Sequence, residues 1–492
     1  MKTDYKLYID GQWVADANQE CFPTINPYTS EPWALIPQAT SAQVAAAIAA
    51  ARWAFDNHWS KTSGLERQRL LIRLADLLEA DADRLARIET MDNGKVIRET
   101  RAQMVFAARA YRFFGGFADK IFGQSIPLDQ RDVLDYTRRE PAGVAVLITA
   151  WNSPMGLMSN KLAPAIAAGC TVVVKPSEHA SASTLEFARL VEQAGFPPGV
   201  FNVVTGDHRV GQALLENGRI DRVSFTGSPG VGRQIASAAG RLLVPSTLEL
   251  GGKSPNIIFE DADLKKAIVG ALAGIFAATG QTCIAGSRLL VQRKLVGEVT
   301  ETLVERAKKI RLGDPSDMST EMGTAANEPQ FNRILKSIEG AAKDGARLLT
   351  GGGRARGAGL QKGFFIEPTI FGDVDNAMPI AQEEIFGPVL SIIPFDTEEE
   401  AVAIANQSKY GLASGVWTTN LARALRVSRA IDSGMVWVNT YRALAVMAPF
   451  GGVKDSGFGR ERGEAALGEY ISVKNVMIDF SDDERDPFSL KT

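Results

Sequence analysis

From Pro141 onward, short runs of apolar, largely β-branched residues alternate with longer stretches whose apolar positions recur every three or four residues. The short runs predict buried strands at Val144 to Ile148, Thr171 to Lys175, Phe201 to Val204 and Arg222 to Phe225. The longer ones predict helices at Lys161 to Ala168, Ser183 to Ala194 and Val210 to Glu216. Strands apolar on both faces and separated by amphipathic helices indicate a parallel sheet covered on both sides. A doubly wound α/β domain is expected.

The alternation resumes after Glu249-Leu250-Gly251-Gly252, with extended Asn256 to Phe259, helical Leu264 to Ala278, extended Ser287 to Gln292 and helical Val296 to Lys309. This reads as a second α/β domain, with the glycine pair as the joint. Ahead of Pro141, Ser41 to Phe55 and Leu65 to Glu89 carry helical spacing and are expected to pack outside the first sheet. Two extended pieces fit neither domain: Ile121 to Arg139 reads as a hairpin and Glu469 to Phe480 as a strand. Exposed edges of that kind need a partner, so an oligomer is expected. Gly351 to Gly359 reads as a surface loop and Asp482 to Asp486 as a solvated charge cluster.

A chain of 492 residues is too long for one ordinary core, which agrees with two or three domains. Its net charge of -3 gives no footprint for nucleic acid or an anionic membrane. The longest apolar runs, such as Gly143 to Ala150, are too short to cross a bilayer, and Met1 to Asp10 lacks the apolar segment of a signal peptide. Cys21, Cys170 and Cys283 are odd in number, far apart and without a C-x-x-C pair, which points to a reducing, cytoplasmic setting. His58, His179 and His208 show no metal-ligand spacing, so no metal is expected, and a Ser-His-Asp triad is poorly supplied.

One cysteine stands out. Cys283 ends Thr279-Gly280-Gln281-Thr282-Cys283, a small, polar, glycine-bearing stretch after an apolar helical run. A lone cysteine is ordinarily a small buried hydrophobe, but this setting also suits a nucleophile. Glu249 lies between two leucines at a strand end beside glycines; such apolar company raises a carboxyl pKa, as a general base near neutrality requires. A buried ion pair is the alternative. Asn152 follows the strand Val144 to Ile148 and could donate its amide to a developing oxyanion, or simply form a turn.

Phe225-Thr226-Gly227-Ser228-Pro229-Gly230-Val231-Gly232 follows a strand and opens a helix, where free N–H groups and the helix dipole can meet a phosphate; a tight turn alone reads the same way. Lys175-Pro176-Ser177-Glu178 sits at the carboxyl end of a strand, where ligands collect in open α/β sheets. Lys175 and Glu178 could hydrogen-bond a ribose diol, or form a solvated pair. Glu178 would repel a 2′-phosphate, which favours NAD over NADP.

Together with Glu383-Glu384-Ile385-Phe386-Gly387-Pro388 and Pro449-Phe450-Gly451-Gly452, these motifs resemble those of the NAD(P)-dependent aldehyde dehydrogenase superfamily in order and approximate spacing, over nearly the whole chain. The resemblance implies a Rossmann-like NAD-binding domain (1–120 and 141–250), a catalytic domain (251–455), and a small β oligomerisation arm and tail (121–140 and 456–492). It also implies roles. Cys283 is the nucleophile, Glu249 the base, and Asn152 with the Cys283 N–H the oxyanion site. Lys175 and Glu178 hold the adenosine ribose, Gly227 and Ser228 the pyrophosphate, Glu384 the nicotinamide ribose, and Phe386 packs beside it. Trp151, Ser177, Gly232 and Leu250 complete the cofactor set, and Lys161 and Glu461 match a proton relay. A homodimer or homotetramer is implied.

Ser153 and Asn160 fall where relatives that act on apolar aldehydes often carry aromatics, and Arg442 lies in the entrance loop Asn439 to Met447. A polar aldehyde or semialdehyde substrate is expected, with Arg442 attracting it. The rivals are a CoA-acylating enzyme, a cofactor-free esterase and a non-catalytic binding or structural protein of the same fold. Retention of Cys283, Glu249 and Asn152 speaks against the last.

Overall fold

Val144–Ile148 lies in the middle of an eight-stranded sheet and is buried along its whole length. In the computed structural model, which describes residues 3–15, 19–357, 359–482 and 488, Thr171–Lys175 and Phe201–Val203 follow on one side of it. Arg222–Thr226 and Ser246–Glu249 follow on the other, and all five strands are parallel. The chain begins at the centre, works outward one way, then returns and works outward the other way. The order reverses between Val144–Ile148 and Arg222–Thr226, and the crevice beyond their carboxyl ends is where such sheets receive ligands.

Antiparallel strands close both edges of this sheet. Leu7–Ile9 and Gln12–Val14 lie beyond Phe201–Val203, and Gly457–Phe458 lies beyond Ser246–Glu249. Pro154–Ala168 runs along the sheet as a helix with a proline in its first turn, where no N–H is needed, and a left-handed glycine, Gly169, at its end. Ser41–Asn57, started by a capping box between Thr40 and Gln43, packs directly on the strands.

The stretch Leu65 to Glu89 forms two helices, Gly64–Ala80 and Ala82–Asn93, divided at Asp81. The first packs chiefly on the helices Ile97–Gly115, Pro154–Ala168 and Ala182–Ala194, so it builds a second layer above the sheet.

The second large sheet has seven strands. Pro255–Ile258 pairs in parallel with Arg288–Gln292 on one side and Ala413–Trp417 on the other. Val389–Phe395 and Thr369–Gly372 extend the first side and Met435–Val438 the second, all parallel; Arg347–Thr350 is the antiparallel edge. The helix after Pro255–Ile258 spans Leu264–Phe276 and stops short of Ala278, because Ala278, Thr279 and Gly280 all take positive φ.

Ile471–Asp479 pairs antiparallel with Val133–Pro141 over nine residue pairs, and Ser125–Ile126 adds a third strand. This small sheet presents Val473 and Met477, 67% and 61% exposed. Residues 456–468, grouped with the tail by sequence, pack against the first domain. Leu248 and Glu249 pair with Phe458 and Gly457, and the helix Gly463–Gly468 lies on Pro154–Ala168. Of the charge cluster Asp482 to Asp486, residues 483–486 lie outside the described residues, as does residue 358 in the Gly351 to Gly359 loop. Among the described residues, no helix is long and apolar enough to cross a membrane.

Candidate active site

Cys283 is carried by a turn with little freedom. Ala278, Thr279 and Gly280 are successively left-handed, with φ of 54°, 55° and 68°, a conformation that β-branched Thr279 adopts only when its surroundings impose it. Those surroundings are visible. The Ala278 N–H donates to Glu99 Oε1 (3.0 Å). The Gln281 side chain donates to the Thr324 carbonyl (3.0 Å) and accepts from the Ala326 N–H (2.9 Å). A Cβ at Gly280 would stand 2.1 Å from the Gly387 carbonyl oxygen, so the turn presses against the Glu384–Phe386 loop. A Cβ at Gly252 would stand 2.4 Å from the Cys283 carbonyl oxygen.

Held this way, Cys283 sits below the surface with part of the residue still accessible. Burial, reinforced by Glu384 and Glu249, pushes its thiol up to about 12, while Arg462 pulls it down. At neutral pH the thiol in this arrangement keeps its proton, so attack requires a base.

Asn152 and Glu249 flank this loop. The Asn152 side-chain amide donates to the Gln281 carbonyl (2.9 Å), which leaves its second N–H uncommitted. No described group accepts from the Cys283 main-chain N–H. Glu249 ends the strand Ser246–Glu249, is 3% exposed, and has no hydrogen-bond partner on either carboxylate oxygen among the described residues. Burial first, then the Glu461 charge, holds its carboxyl well above the ordinary range, against Lys161, Arg460 and Arg462. Lys161 and Glu461 form an ion pair from which solvent is excluded, and Lys161 Nζ also reaches Ser224 Oγ (3.1 Å).

A second group of residues lines the carboxyl edge of the first sheet. Lys175 is buried, with Nζ 3.2 Å from the Pro176 carbonyl oxygen and 3.9 Å from Glu178 Oε2. Ser177 Oγ lies 3.4 Å from the same carboxylate. Burial lowers the Lys175 pKa, and Glu178 and Asp207 oppose the shift. Ser228 caps the helix Pro229–Arg241, and Gly232 is pressed against Leu250 so closely that a Cβ would lie 2.6 Å from its Cδ2.

Closer to the thiol, Glu384 Oε1 accepts from the Gly252 N–H (3.0 Å) and fills the space beside Gly251. Burial pushes the Glu384 carboxyl up to about 7. Phe386 meets Trp151 edge to face at 5.2 Å, and Gln330 fixes the loop through the carbonyls of Ile385 and Phe386. Thr149 and Thr226, at the ends of the two strands flanking the crevice, have buried hydroxyls without a partner among the described residues. Orphaned donors, a helix N-terminus and a carboxylate over a glycine cradle together suit a dinucleotide with ribose hydroxyls and a pyrophosphate.

A sequence profile described as the aldehyde dehydrogenase family matches residues 13–476. The chain belongs to the aldehyde dehydrogenase family. It is 46% identical over 492 residues to (Z)-2-((N-methylformamido)methylene)-5-hydroxybutyrolactone dehydrogenase of Acinetobacter baylyi, covering 99% of each chain. It is 45% identical to an aldehyde dehydrogenase of Enchytraeus buchholzi over 96% of this chain and 95% of the relative. Betaine aldehyde dehydrogenase from Staphylococcus aureus, solved in complex with NAD+, superposes with a TM-score of 0.96 at 39% identity, covering 99% of this chain and 97% of that one. An aldehyde dehydrogenase from Bacillus cereus, also solved with NAD+, gives 0.95 at 43% identity and 97% coverage of both.

In this aldehyde dehydrogenase the polar wall beside Asn152 is built more deeply than Ser153 alone suggests. Lys95 Nζ donates to Ser153 Oγ (2.6 Å), and the Gln103 amide bridges Glu89 Oε1 (3.0 Å), Lys95 (2.9 Å) and Ser153 (3.1 Å). Arg442, expected to attract the substrate, donates from Nη1 to the Ala273 carbonyl (3.2 Å). Arg462, not singled out by sequence, donates from Nε to Asn160 Oδ1 (3.2 Å) and lies between Phe106 and Phe450. Its proximity to the thiol comes from the strand Gly457–Phe458 docking on Ser246–Glu249, a pairing of two residues that leaves no periodicity to read.

Proposed function

We propose that this dehydrogenase oxidises a polar aldehyde to its carboxylic acid with NAD, and that Cys283, Glu249 and Asn152 carry the reaction. The observation that carries this reading is the buried, unpartnered carboxylate of Glu249 acting on the same thiol whose loop is tied to Asn152.

Cys283 Sγ bonds to the aldehyde carbon as its proton passes to Glu249, whose raised pKa makes it a stronger base than a free carboxylate. The oxyanion of the resulting thiohemiacetal accepts from the free Asn152 amide N–H and the Cys283 main-chain N–H. When bound, NAD supplies the acceptor for the two electrons and the hydrogen lost by the substrate carbon. The Lys161–Glu461 pair behind Glu249 then relays the thiol's proton away, which frees the carboxylate. Glu249 next removes a proton from the water that attacks the Cys283 thioester; the C–S bond breaks, the acid leaves, and this second proton passes to the departing thiolate and restores the thiol.

The residues present fit NAD. Lys175, Ser177 and Glu178 hold the adenosine ribose; Gly227 and Ser228 the pyrophosphate; Glu384 the nicotinamide ribose, with Phe386 and Trp151 beside it. Gly232 and Leu250 shape the floor by their close packing. NAD complexes of the two solved relatives support the choice of cofactor. The unit built on the first sheet, 1–120 and 141–250, holds the cofactor, and 251–455 supplies the nucleophile. The small sheet from 121–140 and the end of the tail pairs with another subunit in a homodimer or homotetramer, a role supported by exposed Val473 and Met477. Three free cysteines support a reducing, cytoplasmic setting.

Ser153 with its Lys95–Gln103–Glu89 support, and Asn160, favour a substrate with polar groups. The relatives that act on a hydroxybutyrolactone and on betaine aldehyde, by name, support the same class. The test is NADH formation across aliphatic and polar aldehydes, with NADP and CoA as variants. Polar aldehydes with NAD and without CoA should give the highest kcat/KM; a strong preference for simple aliphatic ones would overturn the substrate assignment.

A further inference from the structure

Among the described residues, the cations around Cys283 are mostly committed, the exceptions being Lys253, whose buried Nζ has no hydrogen-bond partner but feels the carboxylates Glu384 and Glu383, and Arg462. Lys161 is paired with Glu461, Lys95 is bound to Ser153, Arg460 donates to the carbonyls of Gly452 (2.9 Å) and Gly459 (2.7 Å), and Arg442 donates to Ala273. Arg462 is different. Its one side-chain hydrogen bond among the described residues is the Nε contact to Asn160, and its Nη1 is buried without a partner there. A buried cation with an unsatisfied donor is unfavourable unless a ligand completes it.

The site around Arg462 is fixed. Its backbone takes φ 60° and ψ 169°, a region that residues with side chains avoid. The guanidinium lies 5.0 Å from the Phe106 ring centroid and 4.8 Å from that of Phe450, so aromatic faces hold it while its edge stays free. It borders a cavity of about 240 Å³ lined also by Trp437, Leu444, Ala445, Pro449 and Phe450. Phe450 in its wall is followed by Gly451, where a Cβ would stand 2.7 Å from Glu249 Oε1, so this cavity lies beside the residues of the reacting centre. A planar guanidinium with a free N–H edge is complementary to a carboxylate.

We propose that Arg462 is a specificity-determining residue that binds a carboxylate at the far end of the substrate, so that the enzyme prefers aldehydes carrying an anionic end. Asn160 positions the guanidinium by accepting from Nε. This rests on Cys283 being the nucleophile and narrows the substrate class from polar to anionic.

The test compares succinic semialdehyde, its methyl ester and butanal in the full-length enzyme, with Arg462→Met and Arg462→Lys alongside. In wild type the free carboxylate should give the highest kcat/KM, and its KM should rise with added salt while that of the ester does not. In Arg462→Met the carboxylate-to-ester ratio of kcat/KM should fall about 10- to 100-fold, the range for a lost charge-assisted hydrogen bond, mainly through KM. Arg462→Lys should recover part of it. Equal or better use of the ester by wild type, or an unchanged ratio in Arg462→Met, would overturn the proposal while leaving the dehydrogenase reading intact. No NADH from any aldehyde in wild type would overturn both. Because the wild-type comparison and its salt dependence need no variant, the proposal stays testable even if Arg462→Met does not fold.

Discussion

The side-chain amide of Asn152 donates to the main-chain carbonyl of Gln281 at 2.9 Å, two residues ahead of Cys283. The contact joins the end of the central strand of one sheet to the nucleophile loop of the other, so oxyanion donor and nucleophile are held as one unit. Asn152→Ala removes the donor and the tie together. We expect kcat to fall about 100- to 1,000-fold, the usual cost of one oxyanion donor, with NAD affinity retained. Single-turnover NADH formation checks it; a loss confined to KM would contradict an oxyanion role.

Glu249 is a base only when deprotonated, and burial together with Glu461 raises its pKa well above the ordinary carboxylate range. Steady turnover should therefore rise with pH through a midpoint well above the pKa of a free glutamate. Glu249→Gln should lower steady turnover by about 100-fold or more, within the span of general base catalysis, and should abolish that pH limb. The first burst of NADH should survive at a reduced rate, because hydride transfer precedes hydrolysis and water can take the thiol's proton. Normal steady turnover in the variant would remove Glu249 from the hydrolysis step.

Burial raises the Cys283 thiol first and Glu384 is the largest charge adding to it. Alkylation of the cofactor-free enzyme by iodoacetamide should be slow at neutral pH and accelerate as pH rises. Removing the carboxylate in Glu384→Gln lowers the thiol pKa, so the alkylation profile should move to lower pH. A profile that stays put, or moves up, would show that Glu384 does not act on the thiol.

Lys161 and Glu461 are both nearly inaccessible to solvent, and breaking such a pair leaves one charge stranded. Lys161→Met should destabilise the protein by about 3–5 kcal/mol, and adding Glu461→Gln should restore most of that, because the pair's removal is far cheaper than its separation. Thermal unfolding of both variants measures this. Equal loss in the single and double variants would mean that the pair contributes only through packing.

The core strands were legible because apolarity on both faces is a local property; Val144–Ile148 and Thr171–Lys175 fall where the β-branched runs are. Cys283, Glu249 and Asn152 were legible as candidates because each sits in a short motif. What the sequence hid lies in tertiary geometry. The helix after Pro255–Ile258 yields at Phe276 to a left-handed turn imposed by Glu99, Thr324 and Ala326, all distant in sequence. Arg462 comes beside the thiol through a two-residue strand. The bond from Arg442 Nη1 to the Ala273 carbonyl joins the entrance loop to a helix far back in the chain. The contacts of Lys95 and Gln103 with Ser153 join residues about fifty positions apart and leave no pattern along the chain.

Cys283 is the residue on which every step of the proposed reaction depends. The most direct measurement is NADH production from a polar aldehyde by wild type and by Cys283→Ala, each checked for NAD binding and for thermal unfolding. We expect the variant to bind NAD, to unfold close to the wild-type temperature and to form no NADH above the uncatalysed rate, even in a single turnover. Turnover by Cys283→Ala at the wild-type rate would contradict the account, because no other cysteine lies in the site: Cys170 is buried with its thiol directed at the Tyr470 carbonyl, and Cys21 is on the surface.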